Sequence, residues 1–150
     1  MKQYIQALEH ILEKGKQRDD RTGVGTRGVF GYQMRFDLRN GFPAVTTKRL
    51  AWKSVVSELL WFLEGSTDER RLAEIHFGKK REEIFDKKTI WTANANKQGV
   101  ELGYINNQTQ KELGPVYGKQ WRSWGKDVGG EDQIKKIIQD LKNNPNSRRH

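Results

Sequence analysis

The sequence of 150 residues predicts a mixed α and β fold, because helix and strand patterns alternate loosely along it. Apolar residues recur at helical spacing in three separate stretches, and a fourth stretch alternates apolar with polar residues as a half-buried strand does. Five Trp, six Phe and four Tyr predict an ordered core, because disordered chains lack large aromatic side chains. The length is that of one domain.

The first helix is predicted at the N-terminus. Its apolar residues share one helical face, and Gly15 ends the pattern; they are Tyr4, Ile5, Leu8, Ile11 and Leu12. Residues 16–28 follow as a charged, glycine-rich segment, which predicts a loop.

A strand with one buried face is predicted from Val29 to Leu38. Its inward-facing residues alternate with polar ones, which is the period of a strand; they are Tyr32, Met34, Phe36 and Leu38. Asn40-Gly41 is typical of the turn that ends such a strand.

The strongest helix pattern runs from Ala51 to Leu63, where a wide apolar stripe is followed by Gly65 at the position of a C-terminal cap. The stripe consists of Trp52, Val55, Val56, Leu59, Leu60, Phe62 and Leu63. Ser66 with Glu69 three residues later predicts a capping box, which would open a short helix through Ile75.

The later segments alternate between polar loops and one more helix. Residues 76–89 are polar and predict a surface excursion, and residues 91–112 predict one short helix and a loop. Residues 113–124 are aromatic and punctuated by glycine. A last one-sided helix ends at Asn143-Asn144-Pro145 and has the apolar residues Ile134, Ile137, Ile138 and Leu141.

The composition excludes several classes of chemistry. Without cysteine, the 150 residues hold no disulfide, iron–sulfur cluster or thiol nucleophile, and the three scattered His give no metal-ligand spacing. No run of about 18 apolar residues and no signal-peptide core occur, so we expect a cytoplasmic protein. The net charge of +9 is spread along the chain and suits an anionic ligand, whether nucleotide phosphate, nucleic acid or polycarboxylate.

A glycine-rich loop, Gly23 to Gly28, matches the spacing G-x-G-x-x-G. A dinucleotide-binding loop requires a strand before it and a helix after it, and here the predicted order is reversed. Two interpretations stay open for this loop: a phosphate-binding loop with Arg21 and Arg27, or a solvated turn.

Glu58 lies within the apolar stripe of its helix, three residues after Val55 and four before Phe62. A carboxylate at such a position is costly unless it is paired or protonated, so Glu58 is a candidate proton donor or relay. The alternative is an edge carboxylate that is bonded to a nearby Arg or Lys.

Two further features are candidates for ligand contact. Arg148-Arg149 follows a proline-terminated helix and could clamp a phosphate, or be a solvated basic pair. Trp91 is followed by polar residues and could offer a stacking face, although Trp is by default a core residue.

Taken together and in this order, the motifs resemble the thymidylate synthase family from Met1 to His150. The matching segments are Asp20–Thr26, Gly41–Pro43, Thr46–Lys48, Ser57–Leu63 with Gly65, Ile90-Trp91, Leu113–Arg122, Asp132-Gln133 and Pro145–Arg149. The stretch LGPVYGKQWR, Leu113–Arg122, is highly specific. The resemblance implies the family's α+β fold, in which helices pack on a mixed β-sheet that is incomplete in this chain. It also implies a homodimer that methylates dUMP at C5, with 5,10-methylenetetrahydrofolate as carbon and hydride donor.

The resemblance also implies roles for single residues. Arg21, together with Arg148 and Arg149 of the other subunit, would bind the dUMP phosphate. Glu58 would organise waters and move protons near the uracil carbonyl, and Tyr117 would lie near the nucleophile and the C5 proton. The folate would contact three residues, its ring facing Ile90 and Trp91 and its glutamate tail lying near Lys48.

Departures from the family pattern limit what carries over. The attacking thiol of the family would lie beyond Arg149, so we expect the 150 residues to be the N-terminal part of a single domain and inactive alone. A separate C-terminal chain could complete the domain, and uncovered apolar helix faces are then expected. Thr92 stands where members commonly have Asp, which puts a folate contact there in doubt. Residues 76–89 and 104–111 are expected to be surface insertions.

Two other functions remain as alternatives. A pyrimidine nucleotide hydroxymethylase shares the fold, although LGPVYGKQWR and Trp91 favour the methylase. A nucleic-acid-binding fragment would agree with the charge of +9, but no RNA- or DNA-binding motif occurs and no element concentrates the basic residues.

Overall fold

The computed structural model describes residues 1–125 and 130–150, which form two compact units, Met1–Leu50 and Ala51–His150. Helices and a small antiparallel sheet occur together, as the predicted α+β class requires. Within the described residues, no helix combines the length and the apolar character needed to cross a membrane.

The first unit contains helix α1, Lys2–Lys14, as predicted, followed by an antiparallel hairpin. Strands β1, Lys16–Arg18, and β2, Thr26–Gly28, pair with Lys16 opposite Gly28. The prediction of a loop over residues 16–28 was therefore wrong at its two ends. Three-residue strands whose side chains are mostly exposed and polar lack the apolar alternation by which strands are recognised.

The predicted strand from Val29 to Leu38 was also wrong. No strand pairs with this segment in the described part of the chain, and a 3-10 turn, Leu38–Asn40, begins at its end. The segment lies near α1 instead, where the ring of Tyr32 contacts that of His10 at 4.8 Å. An alternating sequence forms a strand only if a neighbouring strand satisfies its backbone groups, and local pattern does not reveal the neighbour.

The second unit begins with helix α2, Trp52–Glu64, which ends at Gly65 in the left-handed conformation (φ 74°), as predicted. Helix α3, Glu69–Phe77, follows. Its predicted capping box was wrong, because the carboxylate of Asp68 caps the helix and accepts from the backbone N–H of Arg70 at 3.0 Å. Glu69 is fully buried and pairs with the Arg70 side chain, so its carboxylate does not reach back to cap the helix.

Shorter elements lead to the last helix. They are a 3-10 turn at Arg81–Glu83, helix α4 at Thr92–Asn94 with a π-helical turn at Ala95–Gly99, and helix α5 at Tyr117–Arg122. Helix α6, Gln133–Asn143, confirms the last predicted helix, and the Asp132 carboxylate caps it by accepting from Lys135 N–H at 3.0 Å.

The core of the second unit lies where α2, α3 and α5 meet. Trp61 and Leu72 are almost fully buried, and Phe62 makes edge-on ring contacts with neighbouring aromatics. Gly118 allows α5 to approach α2 closely, since a Cβ there would lie 3.0 Å from the carbonyl oxygen of Phe62. This packing fixes the two helices that carry the candidate site.

Another face of α2 is apolar and exposed. Its large side chains are 37–49% accessible; they are Trp52, Val55, Val56, Leu59 and Leu60. Ile137, Ile138 and Leu141 of α6 are exposed to a similar degree. Contiguous apolar surface of this kind is typical of a face that another protein surface covers.

Candidate active site

Glu58 of α2 meets Trp91 at the centre of the candidate site. The indole Nε1–H of Trp91 donates to Oε1 of Glu58 at 2.6 Å, and both side chains are half-buried. The carboxylate predicted within the apolar stripe is therefore held by an indole, and within residues 1–125 and 130–150 it forms no ion pair with the Arg or Lys of the alternative interpretation. A hydrogen bond to a charged acceptor of this length is strong and directional.

Aromatic rings form the wall behind this pair. The ring of Trp91 lies 5.8 Å from that of Trp61 and 6.3 Å from that of Phe62, measured between centroids. Tyr117, at the start of α5, contacts Phe62 at 5.4 Å and Trp91 at 6.3 Å, both edge-on. Tyr117 stays 53% exposed, so its phenol is available to a ligand. Three predicted site residues, Glu58, Trp91 and Tyr117, are thus brought together.

A cavity of about 340 Å³ opens beside Glu58 between α2, α3 and the segment before α4. Its lining includes Ala51, Ser54, Val55, Glu58, Leu72, His76, Lys88, Thr89 and Ile90. Ile90 is 79% exposed, so its side chain presents apolar surface. The size and mostly apolar lining are those of a small-molecule site.

Two polar residues of this lining, His76 and Lys88, were not among the predicted site residues. His76 Nδ1 lies 3.4 Å from the Ser57 hydroxyl. Both lie in the polar segment 76–89, where the sequence shows only charge and no spacing that would indicate a ligand. Their nearness to Glu58 depends on tertiary structure, so no sequence pattern could have found them.

Behind Trp91 lies a buried polar network centred on Glu69 and Arg70. Both side chains are fully buried and form an ion pair at 2.6 Å. Arg70 also donates to the carbonyl oxygens of Ile84 and Lys87, each at 3.1 Å. Among the described residues, no buried side-chain nitrogen or oxygen lacks a hydrogen-bond partner. The network fixes the chain that leads to Trp91.

Thr92 faces this network. Its hydroxyl donates to Oε1 of Glu69 at 2.6 Å, and Thr92 is only 5% exposed. The doubt that the sequence raised over a folate contact from position 92 thus has a structural reason, since the side chain points into the protein.

The arginine pair Arg148-Arg149 follows α6 and is exposed. Arg149 lines a shallow cavity of about 480 Å³ with residues of α5 and α6, among them Gln120 and Lys136. Exposure leaves both guanidinium groups accessible to an anion.

In the first unit, Arg21 lies in the turn between β1 and β2 and is exposed. Asp20 shapes this turn, because its Oδ1 accepts from the Thr22 hydroxyl at 2.7 Å and from Gly25 N–H at 3.2 Å. These hydrogen bonds, with that from Thr22 the largest, lower the pKa of Asp20. Arg27, the other arginine of the predicted loop, donates to the carbonyl oxygen of Leu12 at 2.8 Å. Lys48 is exposed in the same unit.

No group of three or more His, Cys, Asp or Glu side chains that could hold a metal ion occurs in residues 1–125 and 130–150.

The fold and the cavity define an α+β protein with a candidate small-molecule site between helices. The chain belongs to the thymidylate synthase family, whose profile it matches over residues 2–150. Two phage proteins are similar to it. One is a probable thymidylate synthase of Escherichia phage T5, 51% identical over 150 residues, which are 100% of this chain and 50% of that one. The other is a thymidylate synthase of Enterobacteria phage T4, 48% identical over 149 residues, covering 99% of this chain and 48% of that one.

The solved crystal structure of thymidylate synthase from T4 phage matches with a TM-score of 0.77 and 47% identity, over 99% of this chain and 48% of that chain. The predicted family and its α+β fold are therefore confirmed. The chain spans about half the length of the relatives it matches.

Proposed function

We propose that this chain contributes part of the active site of a thymidylate synthase, which converts dUMP and 5,10-methylenetetrahydrofolate into dTMP and dihydrofolate. Family membership supports the proposal. The single observation that carries it is the 2.6 Å contact between Trp91 and Glu58 at the mouth of an apolar cavity. It joins two predicted site residues that are 33 positions apart.

Glu58 is proposed to hold waters and to move protons near the uracil carbonyl. The indole N–H of Trp91 keeps one carboxylate oxygen in place, and the second oxygen is then available to water or ligand. Tyr117 would lie near the C5 proton, for which its exposed phenol on the same aromatic wall is suited.

The residues around the cavity fit a reduced folate. Such a ligand is a flat, partly apolar ring system with an anionic glutamate tail, and the cavity offers the apolar side chain of Ile90 together with the cation of Lys88. Lys48, in the first unit, is proposed as a further cation for that tail. When bound, the folate supplies the one-carbon unit and the hydride, while the residues of this chain would orient it and exclude water.

The dUMP phosphate is proposed to bind Arg21 of one subunit and Arg148 and Arg149 of the other, in a homodimer. Guanidinium groups match phosphate oxygens in geometry as well as in charge. All three arginines are exposed in the chain. A cytoplasmic location goes with this proposal.

The nucleophile would come from outside these residues. The family chemistry begins when a thiol adds to C6 of the pyrimidine, and the 150 residues contain no cysteine. The chain alone is therefore expected not to form dTMP.

The test joins this chain to the part of phage T4 thymidylate synthase that lies beyond the matched segment. The purified chimera is expected to release tritium from C5-labelled dUMP and to form dTMP, whereas the chain alone does neither. The Glu58→Gln variant of the chimera should lose about 100-fold in kcat, the range of a general acid–base group. Glu64→Gln is the matched control, because Glu64 lies on the same helix but is exposed and paired with Arg71.

The outcomes separate the candidate functions. A folded chimera without tritium release would overturn the proposal. A 5-hydroxymethyl product, identified by mass spectrometry, would assign the chain to the hydroxymethylases. Micromolar RNA binding at physiological salt, weakening steeply as salt is raised, would favour the nucleic-acid-binding fragment.

A further inference from the structure

The buried ion pair Glu69–Arg70 is connected to Trp91 through two threonine hydroxyls. Oε1 of Glu69 accepts from Thr89 Oγ1 at 2.7 Å and from Thr92 Oγ1 at 2.6 Å, while Arg70 occupies the remaining positions of the carboxylate. The Glu69 carboxylate therefore accepts hydrogen bonds from one threonine that precedes Trp91 in the sequence and from one that follows it.

The direction of these hydrogen bonds is fixed by chemistry. A hydroxyl has one proton, and an ionised carboxylate only accepts, so both hydroxyls donate to Glu69. Their lone pairs are then free to accept from the backbone. Thr89 Oγ1 accepts from the N–H of Trp91 at 3.2 Å, and Thr92 Oγ1 accepts from the N–H of Thr89 at 2.8 Å. The backbone at Trp91 is thereby tied to a buried charge.

The side chain of Trp91 is held separately. Its ring packs on Trp61 and Phe62, which restricts the plane of the ring, and its N–H reaches Glu58. Ring packing alone leaves the ring able to slide along that wall, whereas a backbone fixed by hydrogen bonds sets how far the indole N–H reaches. A 2.6 Å hydrogen bond tolerates little displacement.

We propose that Glu69, acting through the hydroxyls of Thr89 and Thr92, is a positioning residue that sets Trp91 against Glu58. Thr92, which is buried and turned away from the cavity, thus serves the site through its hydroxyl and not through ligand contact. The importance of the Trp91–Glu58 contact for catalysis rests on the proposed function. The inference itself concerns only what holds the two side chains in contact.

The test records the indole N–H resonances of the 150-residue chain labelled with ¹⁵N-tryptophan. Trp91→Phe assigns the Trp91 resonance, and Glu58→Gln shows how far this resonance moves when its acceptor is changed. Thr92→Val keeps the shape of the side chain and removes the hydroxyl. It is expected to shift the Trp91 resonance and to speed its solvent exchange about tenfold, the effect of weakening one charge-assisted hydrogen bond.

The Trp61 indole is the internal reference, because it donates to the carbonyl oxygen of Asp68 within the same core. A purely structural role for Thr92 would accelerate exchange at Trp61 and Trp91 alike, whereas a positioning role changes Trp91 alone. Thr92→Ser keeps the hydroxyl and should restore the wild-type resonance. Thr109→Val is the matched control, since Thr109 is exposed and outside the network.

An unchanged Trp91 resonance in folded Thr92→Val would overturn the proposal, as would equal acceleration at Trp61. Should Thr92→Val not fold, Thr89→Val removes the other hydroxyl and is expected to give the same shift. If neither variant folds while Thr109→Val does, the hydroxyls serve the whole fold and the positioning role is withdrawn. These NMR outcomes do not depend on catalysis. Absence of tritium release in the chimera would overturn the proposed function but would leave the expected Trp91 resonance shifts unchanged.

Discussion

The indole of Trp91 and the carboxylate of Glu58 lie 2.6 Å apart although 33 residues separate them in the sequence. The contact links α2 to the segment that opens α4, on the edge of the apolar cavity. One oxygen of the carboxylate is thereby held at a fixed place.

Removing the indole N–H donor of Trp91 should lower the catalytic rate more than it lowers the stability of the fold. Trp91→Phe in the chimera keeps an aromatic ring against Trp61 but leaves Glu58 without its donor. We expect kcat to fall about 10- to 100-fold, since a hydrogen bond to a charged group is worth about 1.5–3 kcal/mol. Steady-state tritium release measures this, and Trp124→Phe, at a 55% exposed Trp, is the control. Wild-type kcat in Trp91→Phe would contradict the expectation.

Trp61 is expected to stabilise the second unit strongly. It is fully buried, and its indole donates to the carbonyl oxygen of Asp68 at 3.1 Å. Trp61→Phe loses this hydrogen bond and leaves a small cavity, so the free energy of unfolding should fall by about 2 kcal/mol. Urea denaturation followed by far-UV circular dichroism measures the loss, with Trp124→Phe expected to change little. Equal stability of the two variants would speak against a core role for Trp61.

Removing one partner of the buried Glu69–Arg70 ion pair should lower the free energy of unfolding more than replacing both partners by neutral side chains. Arg70→Met leaves the Glu69 carboxylate buried without its cation, and the free energy of unfolding should fall by about 3–5 kcal/mol. The double variant Glu69→Gln/Arg70→Met should lose less than the sum of the two single losses. Urea denaturation of all three variants forms a double-mutant cycle, and additivity within about 0.5 kcal/mol would show that the pair is not coupled.

The cap of α6 predicts a pH dependence. The backbone N–H of Lys135, and next the guanidinium of Arg122, lower the pKa of Asp132 below its ordinary value of 3.8. The folded state thus favours the ionised form, so this contribution to stability is complete above pH 3.8 and is lost as the pH falls through the lower folded pKa.

Asp132→Ala should therefore be less stable than the wild type at pH 7 and approach it below pH 3.8. Thermal unfolding at a series of pH values checks this. Asp140→Ala, on the same helix but far from its N-terminus, is the control. A gap between wild type and Asp132→Ala that stays constant down to pH 2 would show that the carboxylate charge is not involved.

The exposed apolar face of α2 should make the isolated chain self-associate. Leu59 and Leu60 are 47% and 46% exposed on neighbouring positions. Leu59→Lys should reduce both the binding of a hydrophobic dye and the apparent mass in light scattering, because a charge is costly to bury. Leu102→Lys, at a leucine outside α2, should leave both unchanged. A monodisperse monomer of the wild-type chain that melts cooperatively would refute this expectation.

The helices were predictable because their information is local. The apolar spacing of α1, α2 and α6 and the glycine after α2 could be read directly from the sequence. Helix α5 could not, because Gly118 disfavours a helix locally and is there so that α5 can approach α2. The strand predicted from Val29 failed for a similar reason, since pairing depends on a partner elsewhere in the chain.

The residues of the candidate site could be predicted from the sequence better than the contacts between them. Glu58 and Trp91 were candidates from their local sequence, the family motifs added Tyr117, and the structure brings the three together. Glu69 was misassigned as a cap, because a charged residue after Ser66 has the pattern of a helix start whether or not its side chain is buried. That the 150 residues are part of a single domain, and that 76–89 and 104–111 are insertions, stay predictions.

The Glu69–Arg70 network also has a consequence for the order of folding. Its side-chain hydrogen bonds join residues that are neighbours in sequence or at most 23 residues apart, the longest span being Thr92 to Glu69. Contacts over such short loops close early, because the entropy of closing a loop rises with its length. We therefore expect the segment bearing Trp91 to be anchored on α3 before α5 and α6 dock, so that Tyr117 of α5 joins a Trp91 ring that is already in position.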